Sequence, residues 1–299
     1  MFSRRHPFLF FILVLSAIVF GSATVISVVA GLYSGKPAFE SGEKVGIVEV
    51  KGVILSSEQV IEDLKMFRED DAIRAVVVRI DSPGGAVGPA QEIYREIHKT
   101  AETKNVVASM GSVAASGGYY VASATEKIFA NPGTLTGSIG VIMSYTNFQE
   151  LMDKLGLLPV VIKSGQYKDI GSPVRHLEEK EKQILQEFAD DIHRQFIDDV
   201  AAGRNMEAGA VAKLADGRIY TGRKALELGL VDELGNLEDA AETAGRMAGI
   251  KGDIVQVYPE RKTKFSLAEL LTGASAQELA NALIHGQAVS AGYLYRPGL

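Results

Sequence analysis

The chain has no cysteine and no tryptophan among its 299 residues. Without cysteine it cannot form disulfides, use a thiol nucleophile or bind a metal through thiolates, although this absence does not identify the compartment. It also lacks a basic stripe, and a formal net charge of −6 argues against nucleic acid as a partner. Hydrophobic residues make up 46% of the chain, which excludes wholesale disorder and is enough for a sizeable core.

Charged residues are missing from the segment Phe8–Tyr33. At about 1.5 Å per helical residue this segment is long enough to cross a hydrocarbon core of about 30 Å. A cleaved signal peptide is the alternative, because a shorter apolar run suffices for one and Gly21–Ala23 could be processed. Arg4 and Arg5 precede the segment, so the positive-inside rule predicts a cytoplasmic N-terminus and an extracytoplasmic remainder.

The polar stretch SGKPAFESGEK follows the apolar segment and is typical of a linker. Beyond it, strand-like and helix-like patterns alternate, whereas the last residues show no specific pattern. The predicted organisation is a cytoplasmic N-terminus at 1–7, a transmembrane anchor at 8–33, a linker at 34–44, a folded domain at 45–258 and a C-terminal tail at 259–299.

The alternation of strands and helices predicts βαβ units and a mainly parallel sheet. The run AIRAVVVRID is rich in β-branched residues, as in strands that are buried on both faces. Strands are predicted at 44–54, 72–81, 105–110, 127–130, 135–144 and 158–165, and a long helix is predicted from Leu177. The predicted fold class is therefore α/β.

Two of the predicted strands end in turns of small residues that lead into helices, RIDSPGGA and SMGSVAASGG. The carboxyl ends of parallel strands form the usual site of an α/β sheet, and the free N–H groups of the following helices can hold an oxyanion. This arrangement fits acyl transfer with Ser116 as the nucleophile. Tight turns with capping serines are the alternative. A nucleotide site is disfavoured, because SPGGAVG lacks the lysine of a phosphate loop.

A serine nucleophile needs a base. The residue pattern alone does not decide whether that base is a histidine or a lysine. His6 lies on the wrong side of the predicted membrane, and His98 and His193 are expected on solvated faces of charged helices. His176 is the one histidine retained as a rival base. A lysine is the other option, because burial in apolar surroundings favours its neutral amine.

The motifs MGSVAASGGYY, SGQYKDIGSPVR, DSPGG, LTGSIGVIM and DGRIYTGRKALELGLVDELG occur in this order between about Val45 and Tyr258. Together they resemble the signal peptide peptidase A (SppA) family of bacterial serine proteases, in its half-length form. The resemblance implies Ser116 as nucleophile, Lys168 as general base and Ser138 as the serine that orients the lysine amine.

The same resemblance implies that the amides of Gly85 and Gly117 form the oxyanion hole. The choice of Lys168 over Lys163 or Lys154 rests on the resemblance and not on the residue pattern. Ser112 and Asp81 are expected to be structural.

The resemblance further implies the Clp protease/crotonase-like fold, a spiral of βαβ units with outer helices. It implies a homo-oligomeric ring, an octamer, held in the bacterial inner membrane with its catalytic domain outside the cytoplasm. The expected substrates are cleaved signal peptides and other unfolded apolar peptides, with no metal and no cofactor. A lysine base predicts a neutral to alkaline activity optimum.

Two other functions stay open at this stage, a crotonase-like acyl-CoA enzyme and a catalytically idle membrane scaffold. The last residues, LYRPGL, are interpreted as an end that visits an active site as an inhibitor or product mimic.

Overall fold

In the computed structural model the chain is described at residues 7–33, 43–260 and 292–294. It separates into two compact units, Met1–Ser41 and Gly42–Leu299. The helices are α1 Pro7–Tyr33, α2 Glu58–Glu69, α3 Val87–Ala101, α4 Gly117–Ser123, α5 Gln149–Lys154, α6 Glu179–Gly203, α7 Ala208–Ala212, α8 Gly222–Glu227 and α9 Leu237–Met247. The strands are β1 Glu43–Lys51, β2 Ile73–Ser82, β3 Gly84–Ala86, β4 Asn105–Ala115, β5 Lys127–Ala130, β6 Leu135–Gly137, β7 Ile219–Thr221, β8 Glu233–Leu234, β9 Ile254–Val257 and β10 Gly292–Leu294.

The first unit is described through helix α1, which is 27 residues long. Within the described part of the chain, no helix combines the length and the apolar character needed to cross a membrane. The predicted anchor at 8–33 therefore stays a prediction. The predicted linker lies mostly outside the described residues, but Glu43 and Lys44, which were assigned to it, are the first residues of β1.

Eight strands form the main sheet of the second unit, in the order β7-β6-β4-β2-β1-β9, with β5 beside β4 and β8 beside β5. Every pairing in this sheet is parallel except that of β6 with β7. The parallel-rich α/β class predicted from the sequence is confirmed. Strand β2 lies in the middle of the sheet because its β-branched side chains are buried on both faces. Val76 and Val78 belong to the larger core cluster, and Val77 belongs to the smaller one.

Strand β4 runs five residues further than the sequence pattern indicated, and on the side opposite β2 it pairs with two strands. Its first half, through Val107–Ser109, pairs with β5, and its second half, Val113–Ala115, pairs with β6. The register between β2 and β4 shifts at Asp81, whose carboxylate accepts a hydrogen bond of 3.0 Å from the Val113 N–H. Asp81 therefore has the structural role that was expected of it, and the strand continues into the small-residue run that contains Ser116.

Helix α4 is fixed by two buried aromatic side chains. The Tyr119 hydroxyl donates a 2.9 Å hydrogen bond to the Leu230 carbonyl, and the Tyr120 hydroxyl donates to the Asp199 carboxylate on α6. The Tyr120 ring also meets the Phe196 ring edge-on, with centroids 5.0 Å apart. The tyrosines thus hold the start of α4, and with it Ser116, against the core and the long helix.

Two strand predictions in the second half of the chain are wrong in extent or in kind. The segment 135–144 contributes only Leu135–Gly137 as a strand, and the segment 158–165 forms no strand at all. Its apolar side chains instead point outwards, and Ile162 is 97% exposed. A run of this composition needs a partner surface, and the described residues of one copy of the chain supply none.

Candidate active site

Ser116 lies at the sharp turn between β4 and α4, in a backbone conformation that is rare for serine. Its φ is 55° and its ψ is −119°. The Ser116 N–H donates to the Gly137 carbonyl at 2.8 Å, and its own carbonyl accepts from the Tyr120 N–H at 2.9 Å. These bonds hold a conformation that costs free energy, as is common at functional sites. Ser116 is only 1% exposed.

Ser138 occupies the equivalent position on the neighbouring strand. Because Ala115 on β4 pairs with Gly137 on β6, the residues that follow these two, Ser116 and Ser138, leave the same edge of the sheet side by side. Ser138 also has a positive φ, 51°, and its N–H donates to the Arg218 carbonyl at 2.8 Å. The structure therefore brings these two predicted site residues together.

Both serines line one cavity of about 330 Å³. Helix α6 forms one wall, and the segments at 140–142 and 215–217 form the others. The lining residues are Ser116, Ser138, Gly140, Val141, Ile142, Gln186, Ala189, Asp190, His193, Ala215, Asp216 and Gly217. The cavity is large enough for an amino-acid side chain beside the nucleophile.

His193 lies in this cavity, which corrects the expectation that it would occupy a solvated helix face. Its Nε2 atom is buried and has no hydrogen-bond partner among the described residues. The sequence did contain a pattern that points to it, because Gln186, Ala189, Asp190 and His193 are spaced as one face of a helix. Charged neighbours in α6 obscured that pattern.

Lys168 is not brought to the cavity within one chain. It is exposed and lies in a series of turns, where its backbone N–H donates to the Gly165 carbonyl at 3.2 Å. The rival base His176 is also exposed and also does not line the cavity. Ser112, on β4, is exposed as well, in keeping with a structural role. Among the residues that the structure describes, no group of three or more His, Asp or Glu side chains could hold a metal ion.

The segment that carries Lys168 is held at one point by a cluster of ion pairs. Arg175 contacts Asp169 at 2.9 Å and Glu181, in the first turn of α6, at 2.5 Å. Lys163 contacts Asp169 from the other side at 2.6 Å. The hydrogen bonds from Arg175 hold the pKa of both carboxyls below their usual range, so both stay charged at neutral pH.

The predicted oxyanion residue Gly85 lies on the short strand β3, which contacts Ile54 on one side. Ile54 N–H donates to the Gly84 carbonyl at 2.9 Å, and Ala86 N–H donates to the Ile54 carbonyl at 2.8 Å. Because backbone groups alternate along a strand, the N–H and C=O of Gly85 face away from Ile54. A side chain at Gly85 would meet the Ile54 carbonyl oxygen at 2.1 Å, so the close packing of these two backbones requires glycine here.

On its other side, strand β3 pairs with the C-terminal strand β10. Tyr293 lies opposite Gly85 in antiparallel register, with its neighbours opposite Ala86 and Gly84. Gly117 is the first residue of α4, so no carbonyl of a preceding helical turn can accept a hydrogen bond from its N–H. Helix α4 contacts both β3 and β10. Most of the predicted tail at 259–299 lies outside the described residues, and its inhibitory role stays a prediction.

Comparison with known proteins gives two family matches and several relatives. A family model described as Peptidase family S49 matches residues 98–251, and one described as Clp protease matches residues 49–136. A protein of Synechocystis sp. that is named as a protease is 46% identical over 237 residues, which are 79% of this chain and 85% of that protein. A protein of Enterococcus faecium named as a signal peptide peptidase SppA is 38% identical over 240 residues, 76% of this chain and 70% of its own length.

A more distant relative is longer than this chain. The chloroplastic serine protease SPPA of Arabidopsis thaliana is 36% identical over 230 residues, which are 76% of this chain but only 34% of that protein. The Clp protease match agrees with the parallel-rich α/β sheet. Because the S49 family model covers more than half of the chain and two relatives align over most of their own length, the chain belongs to peptidase family S49, within its SppA group, and is a protease.

Proposed function

We propose that this protein is a serine endopeptidase in which Ser116 is the nucleophile and Lys168 the general base. The observation that carries the proposal is the position of Ser116, which is strained, buried and in one cavity with Ser138, at the start of the helix α4 that contacts the strand holding Gly85. The amides of Gly85 and Gly117 then bind the oxyanion.

The reaction proceeds in two steps at Ser116. The hydroxyl oxygen attacks the peptide carbonyl carbon while its proton passes to the neutral Lys168 amine. The carbon–nitrogen bond then breaks, and the Lys168 ammonium returns the proton to the departing amine. In the second step a water molecule, deprotonated by Lys168, hydrolyses the acyl-enzyme and restores both groups. Ser138 orients the amine by accepting a hydrogen bond from it.

Because Lys168 lies outside the cavity of its own chain, we propose that a neighbouring copy supplies it in a homo-oligomeric ring. Support comes from the exposed apolar side chains of the preceding segment, such as Leu158, Val160 and Ile162, which are 84%, 86% and 97% exposed. Such a surface is typical of an interface between subunits. The apolar segment Phe8–Tyr33 supports the further proposal that the ring is anchored in a membrane with its catalytic domain outside the cytoplasm.

Substrates bind as an extended chain along β3, as β10 does. Signal peptides released in the membrane and other unfolded peptides fit this mode, because only an unfolded chain can add a strand to a sheet edge. Among the relatives, the protein of Enterococcus faecium carries the name of a signal peptide peptidase, which supports the same substrate class.

The proposal is tested by offering the full chain, in detergent, a synthetic signal peptide and a set of acyl-CoA thioesters. We expect new peptide termini by mass spectrometry and no release of free CoA. Hydrolysis of thioesters without peptide cleavage would instead support the crotonase-like alternative. A chain that assembles and turns over neither substrate would support the idle scaffold.

The ion pairs of Arg175 give a prediction about the positioning of Lys168. Arg175→Ala removes the contacts to Asp169 and Glu181. The backbone at Asp169 is then no longer held against α6, and the position of the adjacent Lys168 is less well defined. We expect kcat to fall roughly 10- to 100-fold with little change in KM. Arg175→Lys should not restore it, because an ammonium cannot form the two-sided contact of a guanidinium.

The matched control for this prediction is Arg194→Ala, which removes an exposed ion pair on α6 with Asp191. Its kcat should equal that of the native chain. The pKa values of Asp169 and Glu181 are lowered, so their ion pairs with Arg175 are fully formed at any pH above about 4, the ordinary pKa of a carboxyl. The ion pairs are lost only as the pH falls through the lowered pKa values. A rise in KM at unchanged kcat would contradict the positioning role.

A further inference from the structure

The cavity beside Ser116 has two chemically different walls. Val141 and Ile142 form an apolar side, whereas α6 presents Gln186, Asp190 and His193. A site for purely apolar side chains does not need the polar wall. The polar wall therefore bears on which peptide residues the protease accepts next to the scissile bond.

Three polar side chains of the cavity, Gln186, Asp190 and Asp216, have partners within the chain. The Gln186 amide donates to the Asp190 carboxylate at 2.7 Å. Arg218 pairs with Asp216 and lowers its pKa to about 2. The carboxylate is therefore ionised, and the Arg218 guanidinium balances its negative charge. The buried Nε2 of His193 differs from these groups, because no described residue offers it a hydrogen bond.

A buried imidazole nitrogen without a partner is unfavourable, and such groups in proteins usually have a reason. In this cavity the missing partner can come from whatever occupies the space beside the nucleophile. A bound residue with a hydroxyl or amide group satisfies Nε2, whereas an aliphatic residue of the same size that fills this space leaves it unpaired. Sites built in this way reject the analogue that lacks the polar group.

We propose that His193 is a specificity-determining residue that binds a hydroxyl- or amide-bearing side chain of the substrate, at one position flanking the scissile bond. This inference rests on the proposed function, since it takes Ser116 as the nucleophile of the cavity. It goes beyond the sequence-based expectation of unfolded apolar peptides as substrates, and it gives His193 a role in substrate choice and not in proton transfer.

The test uses pairs of peptides that differ only by threonine or valine, which have nearly the same shape. The pair is placed at each of the three positions before and after the bond that the full chain cleaves. At one position we expect the native chain to prefer threonine by about tenfold in kcat/KM. His193→Phe should reduce this ratio to about one, because it keeps a ring in the cavity but removes the nitrogen.

The control is His176→Phe, which alters an exposed histidine outside the cavity and should leave the ratio unchanged. Because the measurement is a ratio within each variant, it does not depend on the amount of folded enzyme. Should the phenylalanine variant not fold, His193→Ala is measured in the same way. His193→Gln, which keeps a hydrogen-bonding group, should retain part of the preference.

Three results would overturn the inference. The first is the same threonine-to-valine ratio in the native chain and in His193→Phe or His193→Ala. The second is a native chain without any such preference. The third is loss of turnover of all peptides alike in a folded His193 variant, which would point to a role in proton transfer. Failure of the proposed function is distinguishable, because the native chain would then cleave no peptide of either kind.

Discussion

Replacing Ser116 with alanine is expected to lower kcat/KM for a peptide substrate by roughly 10⁴- to 10⁶-fold. The variant keeps the cavity and the oxyanion amides but has no oxygen to attack the carbonyl. Alanine is also small enough for the buried site, and at the positive φ of 55° its Cβ is strained as that of serine is. The measurement is the initial rate of cleavage of a labelled signal peptide, with the thermal unfolding midpoint recorded for each protein.

The matched control is Ser112→Ala, on the same strand and exposed outside the cavity. Its cleavage rate should lie within a factor of about two of the native rate, since surface substitutions of this kind change little. Equal losses in the two variants would indicate damage to β4 and not removal of a nucleophile. A folded Ser116→Ala protein that still cleaves peptides at the native rate would show that another residue is the nucleophile.

Replacing Lys168 with alanine is expected to cause a loss of similar size, because it removes the base that accepts the Ser116 proton in the proposed mechanism. Lys168→Arg should be equally inactive, since a guanidinium stays protonated at any working pH. Lys154→Ala, at an exposed position on α5, is the control and should retain native activity. The readout is again the cleavage rate of the labelled peptide.

A mixing experiment tests whether Lys168 acts on Ser116 of a neighbouring copy. Each inactive variant lacks one half of the pair, so a mixed ring contains junctions where an intact Ser116 meets an intact Lys168. We expect partial recovery of activity when Ser116→Ala and Lys168→Ala chains are co-assembled, and none when either is assembled alone. No recovery in verified mixed rings would mean that both groups must belong to one chain.

The central sheet could be predicted from the sequence because its signals are local. The β-branched run at Ile73–Ser82 and the pattern at Lys127–Ala130 identify strands without knowledge of their neighbours. The turn into α4 was also predictable, since small residues and Ser116 stand where a strand must give way to a helix. The resemblance of the motifs to SppA proteins added Lys168 and Ser138, which no periodicity singles out.

The features that the sequence did not predict depend on contacts between distant parts of the chain or between chains. His193 was assigned to solvent because α6 is rich in charge, and only the packing of α6 against α4 brings that face to the cavity of Ser116. The segment 158–165 has the composition of a strand, yet in one copy none of the described strands pairs with it. Strand formation needs a partner, and composition alone does not provide one.

The most direct test of Ser116 as nucleophile is labelling of the native protein with a serine-directed fluorophosphonate, followed by peptide mass spectrometry to locate the adduct. We predict a single adduct on Ser116, which disappears in Lys168→Ala because the hydroxyl is no longer activated. An adduct on a different serine, or a native enzyme that cleaves peptides but takes no label at Ser116, would contradict the assignment.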